Sequence, residues 1–204
     1  MNFFLMFDFY LAFDYFEIIC FFYTIKLLAL LLKMKSTKKT IEIDDSGTGD
    51  LVGDAFIGFH VIESGELLFK RVPVQLYKKK NLENNAPKKK ILELVKDGLK
   101  ELNYNKDTDL IKLCRGDCFD LVREYFEKER INYEDAAIEG VLQLAVEGRL
   151  VQHLRNLGVR SRSLTIKSGA KRYFVLFDWV ARKFPQREKY VKSGFKGWRT
   201  NWRE

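Results

Sequence analysis

The tightest constraint on this chain is a change of apolar period partway along it. From residue 40 to residue 77 the chain reads as three short strands: 40–43 (TIEI), where apolar and polar residues alternate with the period of a strand, and then 55–62 (AFIGFHVI) and 67–77 (LLFKRVPVQLY), two more strands joined by a hairpin. The turn formers Asp44-Asp45-Ser46-Gly47-Thr48-Gly49-Asp50 and Glu63-Ser64-Gly65-Glu66 separate them. Pro73 lacks a ladder donor, which predicts that the third strand is an edge strand or is bulged there. After a Lys-rich loop, Pro87 suits a helix first turn, and Ile91, Leu92, Leu94, Val95, Leu99 and Leu102 form a helical stripe. A strand is expected at 110–114 (LIKLC), a helix through Phe119, Leu121, Val122, Tyr125 and Phe126, and a short strand at 136–138. A third amphipathic helix follows over 141–157, stopped by Gly158, and then come the apolar runs 163–166 and 173–177. The order β-β-β-α-β-α-β-α predicts an α/β fold: a mixed five-stranded sheet flanked by helices, with a C-terminal basic extension.

Residues 1–33 follow another pattern. They hold eight of the 17 Phe, and the run 18–32 (IICFFYTIKLLALLL) is broken only by Lys26. Fifteen residues fall short of the ~20 that span a bilayer. Extending backwards brings in Glu17 and Asp14, both costly in hydrocarbon. Three readings stay open: a membrane anchor with Lys33, Lys35, Lys38 and Lys39 on the cytoplasmic side, an extra helix covering an apolar surface, or an over-long gene start with Met34 as the working initiator. The organisation expected is an apolar segment 1–35, an α/β domain 36–182 and a basic aromatic tail 183–204. A cytoplasmic location is expected for all that follows the first segment, with single-pass anchoring through 1–33 as the variant.

The chemistry is carried by acids at strand ends. Asp44 and Asp45 close the first strand, Asp117 follows the fourth, and Glu139 follows the fifth. If those strands are parallel neighbours, their carboxylates emerge at one sheet edge. Clustered carboxylates repel unless a cation joins them, and hard divalent ions with oxygen ligands, Mg2+ or Mn2+, suit such a group. Ions held this way can clamp the attacking and leaving oxygens of a phosphodiester. The plainer alternative is that Asp44 and Asp117 end strands or cap helices.

The stretch 43–58 (IDDSGTGDLVGDAFIG) resembles the opening hairpin of ribonuclease H-like proteins, in which a first-strand Asp precedes small residues, a glycine-rich turn and a second strand with an early Gly. Residues 113–119 (LCRGDCF) resemble that family's fourth strand, where Asp-Ser precedes a helix. The resemblance covers residues 40–157. It implies Asp44 and Asp117 as metal ligands, with Asp45 in place of the usual glycine. A helix acid is implied as well, for which Glu93 is nearest, and a last acid from Asp178 or, as in the junction-resolvase branch, Glu139. The implied activity is a metal-dependent nuclease with catalytic Asp44, Asp117 and Glu139. A non-catalytic nucleic-acid-binding member of the same fold is the alternative, and a membrane-associated protein with structural acids is a third.

Three cysteines exclude a disulfide framework, and His60 and His153 are too few and too far apart for a histidine zinc site. Cys114 and Cys118 read as buried thiols. His60 reads as a strand histidine with a hydrogen-bond partner, His153 as a helix-surface residue. No small-molecule cofactor is expected. The net charge of +8 is distributed unevenly: residues 154–204 carry +11 and the rest −3. Lys189, Lys192, Lys196, Trp198, Arg199, Trp202 and Arg203 interleave bases with aromatics. Such a surface can hold phosphates while rings stack on unpaired bases, so nucleic acid is the expected partner. A solvated helix face is the plainer reading of the same tail.

Overall fold

The structure, a computed structural model, describes residues 38–165 and 169–194. Five strands form one sheet: β1 (Thr40–Ser46), β2 (Ala55–Val61), β3 (Glu66–Val72), β4 (Leu110–Cys114) and β5 (Tyr133–Ala136). Their order is β3-β2-β1-β4-β5. β1 is antiparallel to β2 and β2 to β3, while β1 and β4, and β4 and β5, are parallel. The helices are α1 (Ala86–Glu101), α2 (Asp120–Lys128), α3 (Val141–Asn156) and α4 (Gly169–Ala181), with a one-turn helix at Lys79–Leu82. The α/β class and the mixed sheet flanked by helices are as the periodicity predicts.

Three local expectations shift. β3 does lie at the sheet edge, but it stops at Val72, and Pro73 opens a 3-10 turn (Val74–Tyr77) instead of bulging the strand. The fifth strand is Tyr133–Ala136, three residues before the expected run at 136–138. Its sequence YEDA has no apolar alternation, because an edge strand with a solvated side needs none. The run at 173–177 belongs to α4, whose Leu176, Trp179 and Val180 are buried.

The sheet packs on both faces. On one side Ile41, Ile43, Ile57, Phe59, Ile111 and Leu113 meet Ile91 and Val95 of α1, Val122 and Phe126 of α2, and Phe119 just before α2. On the other, α3 lies across β1 and β2. The register of β2 serves both faces with consecutive residues. A Cβ on Gly58 would come within 2.9 Å of Leu142 and 3.2 Å of Val146, so only glycine lets α3 lie that close. Phe59 points the other way and its ring fills the space beneath Gly98 of α1, where a Cβ would meet it at 2.4 Å. A second cluster joins Leu51, Val52, Leu150, Leu154, Leu164, Leu176, Val180 and Val191.

The described residues from Lys39 onward belong to one compact unit. Within it, residues 190–194 are strapped along the β1–β2 connection: Gly53 N–H donates to Tyr190 O at 2.9 Å, Lys192 N–H to Leu51 O at 2.8 Å, and Val191 bridges Val52. The first part of the expected tail is thus packed against the domain. The apolar run 1–33 lies outside the described residues. Among the described residues, no helix is long and apolar enough to cross a membrane.

Candidate metal centre

The site begins with the register of the central parallel pair. Thr40, Ile41, Glu42 and Ile43 pair with Leu110, Ile111, Lys112 and Leu113. One step further along this register sets Asp44, two residues before the end of β1, beside Cys114, the last residue of β4. Alternation along β1 sends Ile41 and Ile43 to the α1 side, and Asp44 to the α3 side. Asp44 is buried, and one carboxylate oxygen accepts Asp45 N–H at 2.9 Å. The Cys114 thiol also hydrogen-bonds to it. The Asp45 carboxylate accepts from Thr48 Oγ1 and, at 3.3 Å, from Cys118 Sγ. Asp44, Asp45 and Cys114 can each present a ligand atom so that the three lie within 4.8 Å of one another.

The electrostatics are those of a strained acidic group. Burial pushes the Asp44 carboxyl above its ordinary value. The charges of Asp45 and Glu147 push the same way, against the hydrogen bonds from Cys114 and Asp45 N–H. Burial first, and then the hydrogen bond to Asp44, pushes the Cys114 thiol up to about 12. Cys118 is raised too, by burial and by Asp45. Without a cation both thiols are therefore protonated at neutral pH, as donors facing carboxylates.

Cations of the chain stand one layer back. Arg172 of α4 grips Asp50 at 2.7 Å and Glu147 at 2.9 Å, tying the β1–β2 connection to α3. Lys192 is 1 % exposed; its ammonium donates to Gly47 O and lies 4.5 Å from the Tyr77 ring centre. Burial lowers it to about 8, against the pull of Asp50, Asp54 and Asp45. His153 braces the same connection: Nε2 accepts Asp54 N–H at 3.0 Å. An accepting nitrogen carries no proton, and burial accordingly lowers this histidine below its ordinary value. Beside the centre is a cavity of about 440 Å³, whose walls include Asp45, Thr48, Tyr77, Lys88, Asp117 and Lys192.

The acids singled out in the sequence part company here. Asp44 stands in the centre. Asp117 is exposed on the 3-10 turn after β4 (Asp117–Phe119) and shares the cavity wall with Asp45, outside the three-residue cluster. Glu139 is exposed in the connection from β5 to α3. Glu93 is exposed on α1 and pairs with Lys90 at 2.6 Å; Asp178 is exposed on α4 and pairs with Arg182 at 2.8 Å. Of the tail residues, Lys189 is exposed, with its ammonium 5.0 Å from the Tyr190 ring centre. Lys192 is buried, its ammonium held on Gly47 O, and does not stand on the basic surface expected of it. Lys196, Trp198, Arg199, Trp202 and Arg203 lie outside the described residues.

Sequence reasoning missed two members of the site. Cys114 read as an ordinary thiol, yet it has the parity opposite to Ile111 and Leu113 and is the last residue of its strand. Glu147 of α3 adjoins the buried stripe Leu142, Val146 and Leu150, which could have placed it near the sheet. No protein-family model matches this chain, and no curated protein matches it.

Proposed function

We propose that the chain is a divalent-metal-dependent hydrolase of ribonuclease H-like fold that cleaves a phosphodiester in RNA, DNA or a hybrid. The observation that carries this reading is the meeting of Asp44, Asp45 and Cys114 at the carboxyl ends of two parallel central strands. In open α/β sheets that edge is where ligands bind. The strand order β3-β2-β1-β4-β5 supports the ribonuclease H-like part, since it sets side by side the first and fourth strands on which the resemblance rests.

In this reading Asp44 and Asp45 hold the cation, Mg2+ or Mn2+ on the resemblance. A cation there would supply Lewis-acid polarisation of a phosphoryl oxygen and a more acidic bound water. The chain's own residues do the rest. Thr48 and Cys118 fix the Asp45 carboxylate by hydrogen bonds. Glu147, held by Arg172, adds negative charge beside Asp44 and so raises its demand for a cation. Asp117 and Lys88 face the cavity along which a substrate strand would lie. Lys189, Lys196, Trp198, Arg199, Trp202 and Arg203 would hold the nucleic acid by phosphate contacts and stacking.

One observation favours a second reading, a nucleic-acid-binding protein without turnover: Asp117, Glu139, Glu93 and Asp178 all stay outside the cluster, which leaves two carboxylates where three or four were expected. Cleavage by the full chain of labelled single-stranded, duplex, hybrid and junction substrates separates the two. Metal-dependent cutting that disappears in Asp44→Asn supports the hydrolase. Salt-sensitive binding with no cutting of any substrate supports the binding protein.

A further inference from the structure

A second cavity, of about 340 Å³, lies between residues 158–161, which follow α3, and the carboxyl end of α4. It shares no wall residue with the cavity beside the metal centre. Its walls carry Arg160, Arg182 and Arg187 against one acid, Asp178, a net charge of +2. Arg182 pairs with Asp178 at 2.8 Å, and both side chains are exposed, so the contact is weak and leaves Arg182 free to bind a second anion.

The other two arginines lack a counter-ion. Arg160 is exposed and has neither an ion pair nor a hydrogen bond among the described residues. Arg187 is half-buried and has no carboxylate partner among them. Its guanidinium lies 4.0 Å from the Trp179 ring centre, and Nη1–H donates to Trp179 O. The buried Trp179 ring is tied down in turn, its Nε1–H donating to Gly158 O at 3.2 Å. Arg187 is thereby held in one orientation with most of its N–H donors unspent. Carbonyls at helix carboxyl ends disfavour anions. The two at this wall, Gly158 O and Trp179 O, already accept from Trp179 and Arg187.

A half-buried guanidinium without a counter-ion, fixed on an aromatic face at the wall of a cavity, calls for an anion. Guanidinium N–H forks match phosphate oxygens in pairs. A phosphate monoester carries about −1.5 to −2 at pH 7, whereas a diester carries a single charge. The net charge of the cavity matches the monoester. We propose that this cavity binds the terminal phosphate monoester of a nucleic-acid strand. Arg160 and Arg187 take its oxygens, and Arg182 supplies further positive charge. The inference rests on the nucleic-acid reading only for the strand to which the phosphate belongs; the anion site stands on the arginines.

The test is binding of the full chain to internally labelled single-stranded oligonucleotides, read by fluorescence anisotropy. The strands end in a 5′-phosphate, a 3′-phosphate or hydroxyls only. The buffer holds chelator and about 0.15 M salt, which screens general attraction between exposed charges. The expected result is that a phosphate at one of the two ends tightens binding about tenfold or more. That gain disappears in Arg160→Ala, which loses no hydrogen bond or ion pair of the described fold. It also disappears in Arg187→Lys, which keeps the charge but not the fork. It survives in Lys183→Ala, which removes the same charge from an exposed position outside the cavity. Inorganic phosphate competes with the phosphorylated strand, and chloride at equal ionic strength does not. No binding of either phosphorylated strand, equal affinity for phosphate and hydroxyl ends, a gain that survives in Arg160→Ala, or an equal loss in Lys183→Ala would each overturn the proposal. A nucleoside monophosphate that binds as tightly as the strand would overturn the strand as the source of the phosphate. The fate of the site is separate from that of the hydrolase. Metal-dependent cleavage with no preference for a phosphorylated end keeps the hydrolase and sinks the site. Binding that depends on the end phosphate, without cleavage of any substrate, does the reverse.

Discussion

Two buried aspartates lie at opposite ends of the same pair of parallel strands, and their surroundings could hardly differ more. Asp109, just before β4, is 2 % exposed and Asp44, near the end of β1, is 7 % exposed. Asp109 accepts Asn105 N–H at 2.8 Å, Thr108 Oγ1 at 2.9 Å and Lys39 N–H at 3.1 Å, so each oxygen has donors that belong to the fold. Asp44 has one backbone donor and a weak thiol, and its other neighbours are Asp45 and Glu147, which carry the same charge. A buried carboxylate serves the fold when donors surround it. When acids surround it, its charged form costs stability, and a proton or a bound cation relieves that cost.

This contrast is broken or upheld most sharply by the matched pair Asp44→Asn and Asp109→Asn. On the hydrolase reading, Asp44→Asn lowers metal-dependent cleavage by about a hundredfold or more, equivalent to about 3 kcal/mol of transition-state stabilisation, while Asp109→Asn leaves the rate per folded molecule unchanged. Equal losses in both would mean that Asp44 is only another structural acid.

Stability should move in the opposite sense. Asp109→Ala removes the acceptor of two part-buried backbone N–H groups and of Thr108 Oγ1, and urea unfolding should show a loss of about 1–3 kcal/mol. Asp44→Asn keeps an acceptor for Asp45 N–H and removes a charge that burial and its neighbours disfavour. The thermal midpoint in chelator should therefore rise, by about 2–4 °C for each kcal/mol gained in a chain of this size. A lower midpoint would show that Asp44 is satisfied by contacts other than those described.

Much of this frame was legible beforehand, and the reason is physical. One deeply buried face imposes period two on the first residues of β1 and on β4, burial on both faces makes β2 a continuous apolar run, and one buried face imposes period 3.6 on α1 and α3, so Ile41, Ile43, Ile111, Leu113, Leu142, Val146 and Leu150 announce themselves. The parallel pairing of the first, fourth and fifth strands followed from the helical crossovers. β5 was misplaced because an edge strand reading YEDA carries no burial signal. The site was half legible. Asp44 stood out as an acid ending an apolar alternation. Cys114 did not, since a thiol at a strand end reads as a small hydrophobe until register sets it against a carboxylate. Asp117 is placed in a way that sequence distance from β4 cannot reveal: the chain turns into a 3-10 helix there, and the side chain is exposed on the cavity wall with Asp45, outside the three-residue cluster. For Lys192, composition counted a positive charge in a basic tail, whereas residues 190–194 fold back and bury it.

That burial gives the next prediction in order of size, and it again sets the two ends apart. Lys39, at the Asp109 end, is half-exposed and donates to Leu102 O at 2.9 Å. Lys192, at the Asp44 end, is held near 8 against an ordinary 10.5. The unfolded chain therefore binds more protons between those two values, and stability contributed by this group rises with pH across pH 8 to 10.5; below pH 8 the cost of its burial is fully present. The gain is at most about 3 kcal/mol. Unfolding free energies compared between wild type and Lys192→Met should show this rise in the wild type alone. Parallel pH profiles would place the Lys192 ammonium in water.

The smallest expected effect tests whether crowding of acids, and not mere position on the α3 side of the sheet, marks Asp44. Glu42 and Asp44 occupy the same face of β1 two residues apart, and each has a cross-strand partner on β2. Glu42 faces His60, whose Nδ1 lies 2.9 Å from its carboxylate; Asp44 faces Gly58, which offers no side chain. The glycine that lets α3 approach thus also leaves Asp44 without a neighbour to neutralise it on that strand. Glu42 should accordingly behave as a structural acid. Glu42→Gln weakens one partly buried pair and should cost about 0.5–1 kcal/mol in urea unfolding. It should leave the metal-dependent cleavage rate unchanged, because its carboxylate already has a partner within the sheet. A loss of metal binding in Glu42→Gln would extend the centre along β1 and make proximity, not the lack of a partner, the property that defines it.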